Sequence, residues 1–203
     1  MHKKLFIFDL DGVLVDACNW HRDALNEALL ETCSYSITEE EHLSTFNGIP
    51  TREKLCILTK RGIVEAKDHQ KINDLKQEKT IGIIKSSAKI SLEKIKMIEE
   101  IKKRGNLVCC YTNSIRKTAM LMLHKTGIDT LFDYVLTNED VKKTKPDPEG
   151  YIWLMREFDI KEEMCYIIED SPKGLNAAYA SKANVVEVEG TKAVNIELLR
   201  RYL

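Results

Sequence analysis

Short runs of β-prone apolar residues, separated by longer stretches with helical spacing, set the rhythm of this chain. Lys4 to Phe8 ends in four consecutive apolar residues and meets a cluster of acids and Gly12, the pattern of a buried parallel strand emerging into a loop. Comparable runs at Leu107 to Tyr111, Tyr134 to Leu136, Cys165 to Ile168 and Asn184 to Val188 each follow a helix-like segment. Strands alternating with helices predict an α/β fold built on a parallel sheet. The interval between the first two runs is roughly 100 residues, far more than one crossover helix needs. Its pattern is helical over Trp20 to Leu30, Thr38 to Phe46 (opening with a cap-like Thr-Glu-Glu-Glu), Thr51 to Thr59 and Val64 to about Ile84. This predicts an all-helical cap domain over residues 16–85, inserted into a core domain of residues 1–15 and 86–203, with Ser91 capping the helix that returns to the core.

Composition narrows the picture. The balance of 43% apolar and 31% charged residues belongs to a folded globular chain, and 203 residues favour one domain with a modest insertion. The formal charge of −1 gives no global attraction to nucleic acid or an anionic membrane, so any phosphate recognition has to be local. The lysine-rich stretch Lys67 to Lys79 reads as a solvated helical face. The apolar runs fall far short of the roughly 20 residues of a bilayer span. Asp9 and Asp11 interrupt the start before a signal-peptide core can form. That start predicts a cytoplasmic protein, and a monomer is expected; the six cysteines contain no C-x-x-C pair and sit largely among apolar neighbours, which predicts reduced thiols.

The chemistry gathers where the strands end. Asp9-Leu10-Asp11-Gly12 sets two carboxylates two residues apart, where i and i+2 face the same side and glycine permits a sharp exit. Two such acids repel unless a cation, a proton or solvent intervenes. Thr112-Asn113-Ser114 follows the second strand and precedes a helix, so it offers hydroxyls and backbone N–H groups to an anion as readily as it caps the helix. Lys145 stands ahead of a Pro146-Asp147-Pro148 turn, where a lysine serves as a point charge for phosphate. Glu169-Asp170 follows the fourth strand and supplies the hard oxygens that suit Mg²⁺.

Taken in order, Asp9-Leu10-Asp11-Gly12-Val13-Leu14-Val15-Asp16, Thr112-Asn113-Ser114, Lys145-Pro146-Asp147-Pro148 and Ile167-Ile168-Glu169-Asp170-Ser171 resemble the four motifs of the haloacid dehalogenase-like superfamily. The helical insertion resembles the cap of its β-phosphoglucomutase and phosphoglycolate-phosphatase branch. That resemblance implies a Rossmann-like parallel sheet core and Mg²⁺-dependent hydrolysis of a small phosphorylated metabolite such as a sugar phosphate. It implies Asp9 as the nucleophile that becomes an aspartyl phosphate, Asp11 as acid and base, Thr112 and the amides around Asn113 as holders of the phosphoryl oxygens, and Lys145 as the charge that offsets Asp9 and the phosphoryl group. It places the metal on Asp9, the Asp11 backbone carbonyl and Asp170, with Glu169 near or in its shell. Gly174 stands where other branches carry a further acid, which gives Glu169 more of the metal positioning. In the cap, Gly48 and Arg52 of the segment Phe46 to Glu53 resemble the loop that reads the leaving group, and His21 resembles a cap histidine facing the core. Two other functions compete: a phosphomutase, and a silent binding protein that keeps the fold. Ala17, standing where relatives often have a hydroxyl residue, favours hydrolysis over transfer, and the intact acids argue against a silent protein.

Overall fold

The computed structural model describes residues 3–46 and 49–203. Contacts divide the chain into two compact units, Met1–Asp16 with Lys89–Leu203, and Ala17–Ala88. The first is a five-stranded parallel sheet: β1 (Leu5–Phe8), β2 (Leu107–Tyr111), β3 (Tyr134–Leu136), β4 (Cys165–Glu169) and β5 (Asn184–Glu187), in the order β3-β2-β1-β4-β5. All four residues of β1 are buried, as a central strand covered on both faces requires. It pairs on one side with β2, Leu5 opposite Leu107, and on the other with β4, Leu5 opposite Cys165. The chain builds outward from β1 through β2 and β3, then returns to the opposite side of β1 for β4. The strand order therefore reverses at β1, where the carboxyl ends of an open sheet form a crevice.

The helices of this unit are α5 (Leu92–Lys103), α6 (Arg116–Thr126), α7 (Glu149–Glu157), α8 (Pro172–Ala180) and the short α9 (Ile196–Leu199). Ser91 caps α5, its hydroxyl accepting from the Lys94 N–H at 3.4 Å. Leu5, Ile7, Cys109, Tyr111, Cys165 and Ile167 face Tyr151 and Leu154 of α7 and Ala177 and Ala178 of α8 in one buried cluster, which fixes both helices against the sheet. Lys94 crosses from α5 to the Thr191 carbonyl at 2.7 Å and also donates to the Val194 carbonyl, so a buried ammonium ties α5 to the C-terminal segment.

The second unit is wholly helical: α1 (Cys18–Cys33), α2 (Glu39–Glu41) running into a π-helical turn at His42–Phe46, α3 (Thr51–Lys60) and α4 (His69–Ser87), preceded by a short 3₁₀ turn at Ala66–Asp68. Leu25, Ala28 and Leu29, spaced i, i+3, i+4 along α1, pack with Ile37, Phe46, Ile49, Leu55, Leu58, Val64 and Ile72. Thr38 and Glu41 form a reciprocal capping box, the Thr38 hydroxyl accepting from the Glu41 N–H at 3.1 Å and the Glu41 carboxylate from the Thr38 N–H at 3.3 Å. The helix expected to run on from Thr38 to Phe46 widens after one turn, and the wider turn keeps His42 and Phe46 both buried. Residue 85, expected to end this unit, lies inside α4, which continues to Ser87. All six cysteines are free thiols, and Cys109, Cys110 and Cys165 pack in the sheet. No described helix is long and apolar enough to cross a membrane.

Candidate active site

The strand ends bring the acids together. Asp9 leaves β1 with its N–H still donating to the Ile168 carbonyl at 3.0 Å, so its carboxyl is buried between β1 and β4. The backbone then turns tightly through Gly12, whose N–H donates to the Val15 carbonyl at 2.7 Å and whose φ is +95°. A Cβ there would lie 2.0 Å from Asp170 Oδ2, so glycine is required both by the backbone conformation and by the carboxyl seated against it.

Asp11 takes a different environment. Its Oδ2 accepts from the Ser114 hydroxyl at 2.8 Å and the Thr112 hydroxyl at 3.3 Å, which orients it toward the loop after β2. Thr112 is buried, anchored by its N–H on the Leu136 carbonyl, and its own hydroxyl accepts from the Ser114 N–H at 2.9 Å.

At the centre stands Lys145, only 3% exposed. Its ammonium donates to Asp9 Oδ1 at 2.6 Å, Glu169 Oε2 at 2.7 Å and the Tyr111 carbonyl at 2.9 Å, which uses all three of its hydrogens. Burial works against this ammonium, but Asp9 and Glu169 outweigh it and hold the pKa well above the ordinary lysine range. The backbone on either side is clamped by Asn113, whose side-chain amide donates to the Lys145 carbonyl and accepts from the Lys145 N–H, both at 3.1 Å.

Glu169 is fully buried and saturated. Its Oε1 accepts from the Asp170 N–H, the Ser171 N–H and the Ser171 hydroxyl at 2.9 to 3.1 Å, and its Oε2 from Lys145 and the Tyr151 hydroxyl. Burial pushes this carboxyl up, but Lys145 and the other donors bring it below the ordinary glutamate value. Its carboxylate lies against Gly174 of α8, where a Cβ would come within 2.0 Å of Cδ and Oε2. The missing acid at 174 is thus explained by space, since the Glu169 carboxylate fills it.

Four acids, Asp9, Asp11, Glu169 and Asp170, face this one ammonium, so the cluster is electrostatically incomplete. Burial first, then Glu169, pushes the Asp9 carboxyl well above its ordinary value. The same two causes push Asp170 up to about 7. Asp9, Glu169 and Asp170 offer oxygens within 4.8 Å of one another, and Asp170 Oδ1 is buried with no hydrogen-bond partner. Excess negative charge, hard oxygen donors and an orphaned carboxylate oxygen together fit a small divalent cation. Asp170 and Asp9 are the suited ligands, whereas Glu169 has its lone pairs committed to protein donors.

Asp9, Asp11, Thr112, Asn113, Lys145, Glu169 and Asp170, each singled out in the sequence, therefore converge in the sheet unit. The Asn113 side chain clamps the Lys145 backbone, and the amides around Asn113 are the groups expected to meet an anion. In the helical unit, His21 of α1 stands 3.3 Å from the Lys76 ammonium, Nδ1 to Nζ, and Arg52 is exposed in the first turn of α3. Gly48 lies outside the described residues. The sequence reading missed Tyr151 as a partner of Glu169; its buried position on the apolar side of α7, six residues after Lys145, was the available signal.

Known proteins extend the geometry. The haloacid dehalogenase-like hydrolase family model matches residues 6–188. A phosphorylated carbohydrates phosphatase of Thermotoga maritima is 27% identical over 177 residues, covering 85% of this chain and 78% of that protein. The fructose-1-phosphate phosphatase YqaB of Escherichia coli K12 is 26% identical over 185 residues, covering 90% and 94% respectively. In fold, the chain matches a crystal structure of β-phosphoglucomutase from Clostridium difficile with a TM-score of 0.83 at 20% identity, over 99% of this chain and 97% of the other. The motif order, the sheet that assembles it and the span of the family match agree, and the chain belongs to the haloacid dehalogenase-like hydrolase family.

Proposed function

We propose that this hydrolase is a Mg²⁺-dependent phosphatase of a small phosphorylated metabolite, working through an aspartyl phosphate on Asp9. The observation that carries the reading is the unlike treatment of two carboxylates at one strand end: Asp9 is gripped through one oxygen by a buried ammonium, while Asp11 accepts from the hydroxyls of Ser114 and Thr112. That division suits a nucleophile beside an acid and base. With Oδ1 held by Lys145, the second oxygen of Asp9 attacks phosphorus as the bond to the leaving oxygen breaks, and Asp11 gives that oxygen its proton. Water then attacks the same phosphorus as the Asp9 O–P bond breaks, Asp11 takes a proton from it, the Asp9 carboxylate is regenerated and inorganic phosphate is released. Thr112 and the backbone amides near Asn113 hold the phosphoryl oxygens. A Mg²⁺ held by Asp9, the Asp11 carbonyl and Asp170 would supply the positive charge that lets one anion approach another. Glu169 acts one step removed, on Lys145.

Hydrolysis is favoured over phosphoryl transfer between sugars because the relatives from T. maritima and E. coli are named as phosphatases. The test is a screen of phosphorylated metabolites with Mg²⁺, scoring both released phosphate and isomerised product. Activity should vanish on chelation, return with Mg²⁺, and fall more than 100-fold in Asp9→Asn, a loss above about 2.7 kcal/mol of transition-state stabilisation. Full activity after metal stripping, or more than about one per cent activity in Asp9→Asn, would refute it.

A further inference from the structure

Of the five hydrogen bonds that saturate Glu169, three come from the turn immediately after it and one from Lys145. The fifth comes from elsewhere in the fold. Tyr151, in the first turn of α7, donates its hydroxyl to Glu169 Oε2 at 2.9 Å, the oxygen that also receives Lys145. Its ring is fully buried, set edge-on to Tyr111 with centroids 4.9 Å apart, and lies 5.2 Å from the Lys145 ammonium. Packing of α7 therefore fixes where the hydroxyl stands.

Building on the proposed role of Asp9, we propose that Tyr151 is a positioning residue for the nucleophile, dividing the Lys145 ammonium between Glu169 and Asp9. Oε2 has two lone pairs, and Tyr151 and Lys145 fill them. Lys145 has three hydrogens, all committed, and one of them fixes Asp9 Oδ1. Without the tyrosine hydroxyl, Oε2 keeps a buried lone pair with one donor beside it, and filling it draws Lys145 toward Glu169. Asp9 then loses the contact that fixes the rotation of its carboxylate. The Tyr151 hydroxyl is spent on Glu169, and Thr112, which holds the phosphoryl group in the proposed reaction, is anchored separately on the Leu136 carbonyl, so KM should change little.

Tyr151→Phe tests this, because it keeps the ring and its packing and deletes one oxygen. On p-nitrophenyl phosphate with saturating Mg²⁺, kcat should fall roughly 10-fold, about 1.4 kcal/mol, with KM within about 2-fold. A second readout needs neither metal nor turnover: in ¹⁵N-lysine-labelled protein, the buried Lys145 ammonium should give a slowly exchanging ¹H–¹⁵N signal, assigned by its disappearance in Lys145→Met. Tyr151→Phe should broaden or shift that signal. An unchanged kcat, or a loss of kcat with the Lys145 signal intact in the folded protein, overturns the proposal. If the wild type shows no phosphatase activity that Asp9→Asn removes, the functional reading fails by itself, while the ammonium signal still decides whether Tyr151 positions Lys145.

Discussion

Replacing Gly174 by alanine probes the close seat of the Glu169 carboxylate against α8. Intrinsic helix propensity favours the change, since alanine in a helix interior is better than glycine by about 0.8–1.0 kcal/mol. The surroundings oppose it. The new Cβ would stand 2.0 Å from both Cδ and Oε2 of Glu169 and 2.3 Å from Oε1, against about 3.4 Å for ordinary contact, so the carboxylate must retreat by more than 1 Å. Its five hydrogen bonds span 2.7 to 3.1 Å, and none survives such a displacement intact. Disrupting a buried, hydrogen-bonded ion pair costs about 3–5 kcal/mol. Less the propensity gain, Gly174→Ala should destabilise the protein by about 2–4 kcal/mol, which lowers Tm by roughly 4–16 °C for a chain of this length. Gly82→Ala is the control: Gly82 also lies within a helix, α4, but nothing lies within 4 Å of its would-be Cβ, so that change should leave stability equal or slightly raised. Thermal and urea unfolding of the two variants beside the wild type read the difference. If Gly174→Ala matched Gly82→Ala in stability and kept full activity, the saturated, wedged Glu169 described above would be wrong.

Two further predictions concern the helical unit. His42 is 3% exposed with its Nε2 unpartnered, and burial, helped by Lys54, Arg22 and His21 against Asp23, depresses its pKa from 6.5 to about 4. The folded state thus holds this ring neutral while the unfolded chain takes up the proton first, so its contribution is complete above about pH 6.5 and is lost as pH falls toward 4, up to about 3 kcal/mol. His42→Leu should flatten the fall of the urea midpoint over that range; a parallel fall in variant and wild type would refute the assignment. If Arg52 reads the leaving group, as the resemblance of its loop implies, Arg52→Ala should lower kcat/KM for the physiological phosphate ester by roughly 10-fold to 150-fold, the worth of a charge-assisted hydrogen bond, while sparing p-nitrophenyl phosphate; equal losses on both substrates would sink that role.

What could be read from the chain alone was whatever a local pattern encodes. Asp9, Asp11, Glu169 and Asp170 were legible because short buried runs mark the strands and the residues after them must lie at the carboxyl edge of a parallel sheet. Ser91 and the Thr38-Glu41 box were legible because caps are local. Partners distant in sequence were not. Asn113 looks like any polar residue at a helix start, and only the pairing of β2 with β3 brings together the loops that follow them and sets its amide on the Lys145 backbone, 32 residues away. Tyr151 occupies an apolar-face position of α7 where a phenylalanine would satisfy the periodicity, and nothing nearby shows that its hydroxyl meets Glu169, 18 residues on. The π-helical turn at His42–Phe46 was equally hidden, since its sequence spacing also suits an α-helix.

The two adjacent acids at the end of β4 illustrate how strictly register controls this chemistry. Consecutive residues of an extended segment point to opposite sides. Glu169 accordingly turns toward Lys145, Tyr151 and Gly174, while Asp170 turns toward Gly12 and leaves Oδ1 without a protein donor. One acid is consumed in holding the ammonium, and its neighbour is the one that a cation can complete. A slip of β4 by one residue would dissolve this division: in one direction the shorter Asp170 would stand before Lys145 with Ser171 against Gly12, and in the other Ile168 would stand before Lys145 with the longer Glu169 against a glycine with no room for it. The register is pinned on both edges, by Phe8 opposite Ile168 and the Asp9 N–H on the Ile168 carbonyl at 3.0 Å, and by Glu169 opposite Glu187 and the Val188 N–H on the Glu169 carbonyl at 3.0 Å. The buried pairing of β1, β4 and β5 therefore does more than close the core: it decides which of two neighbouring carboxylates faces the lysine and which keeps an oxygen without a protein donor.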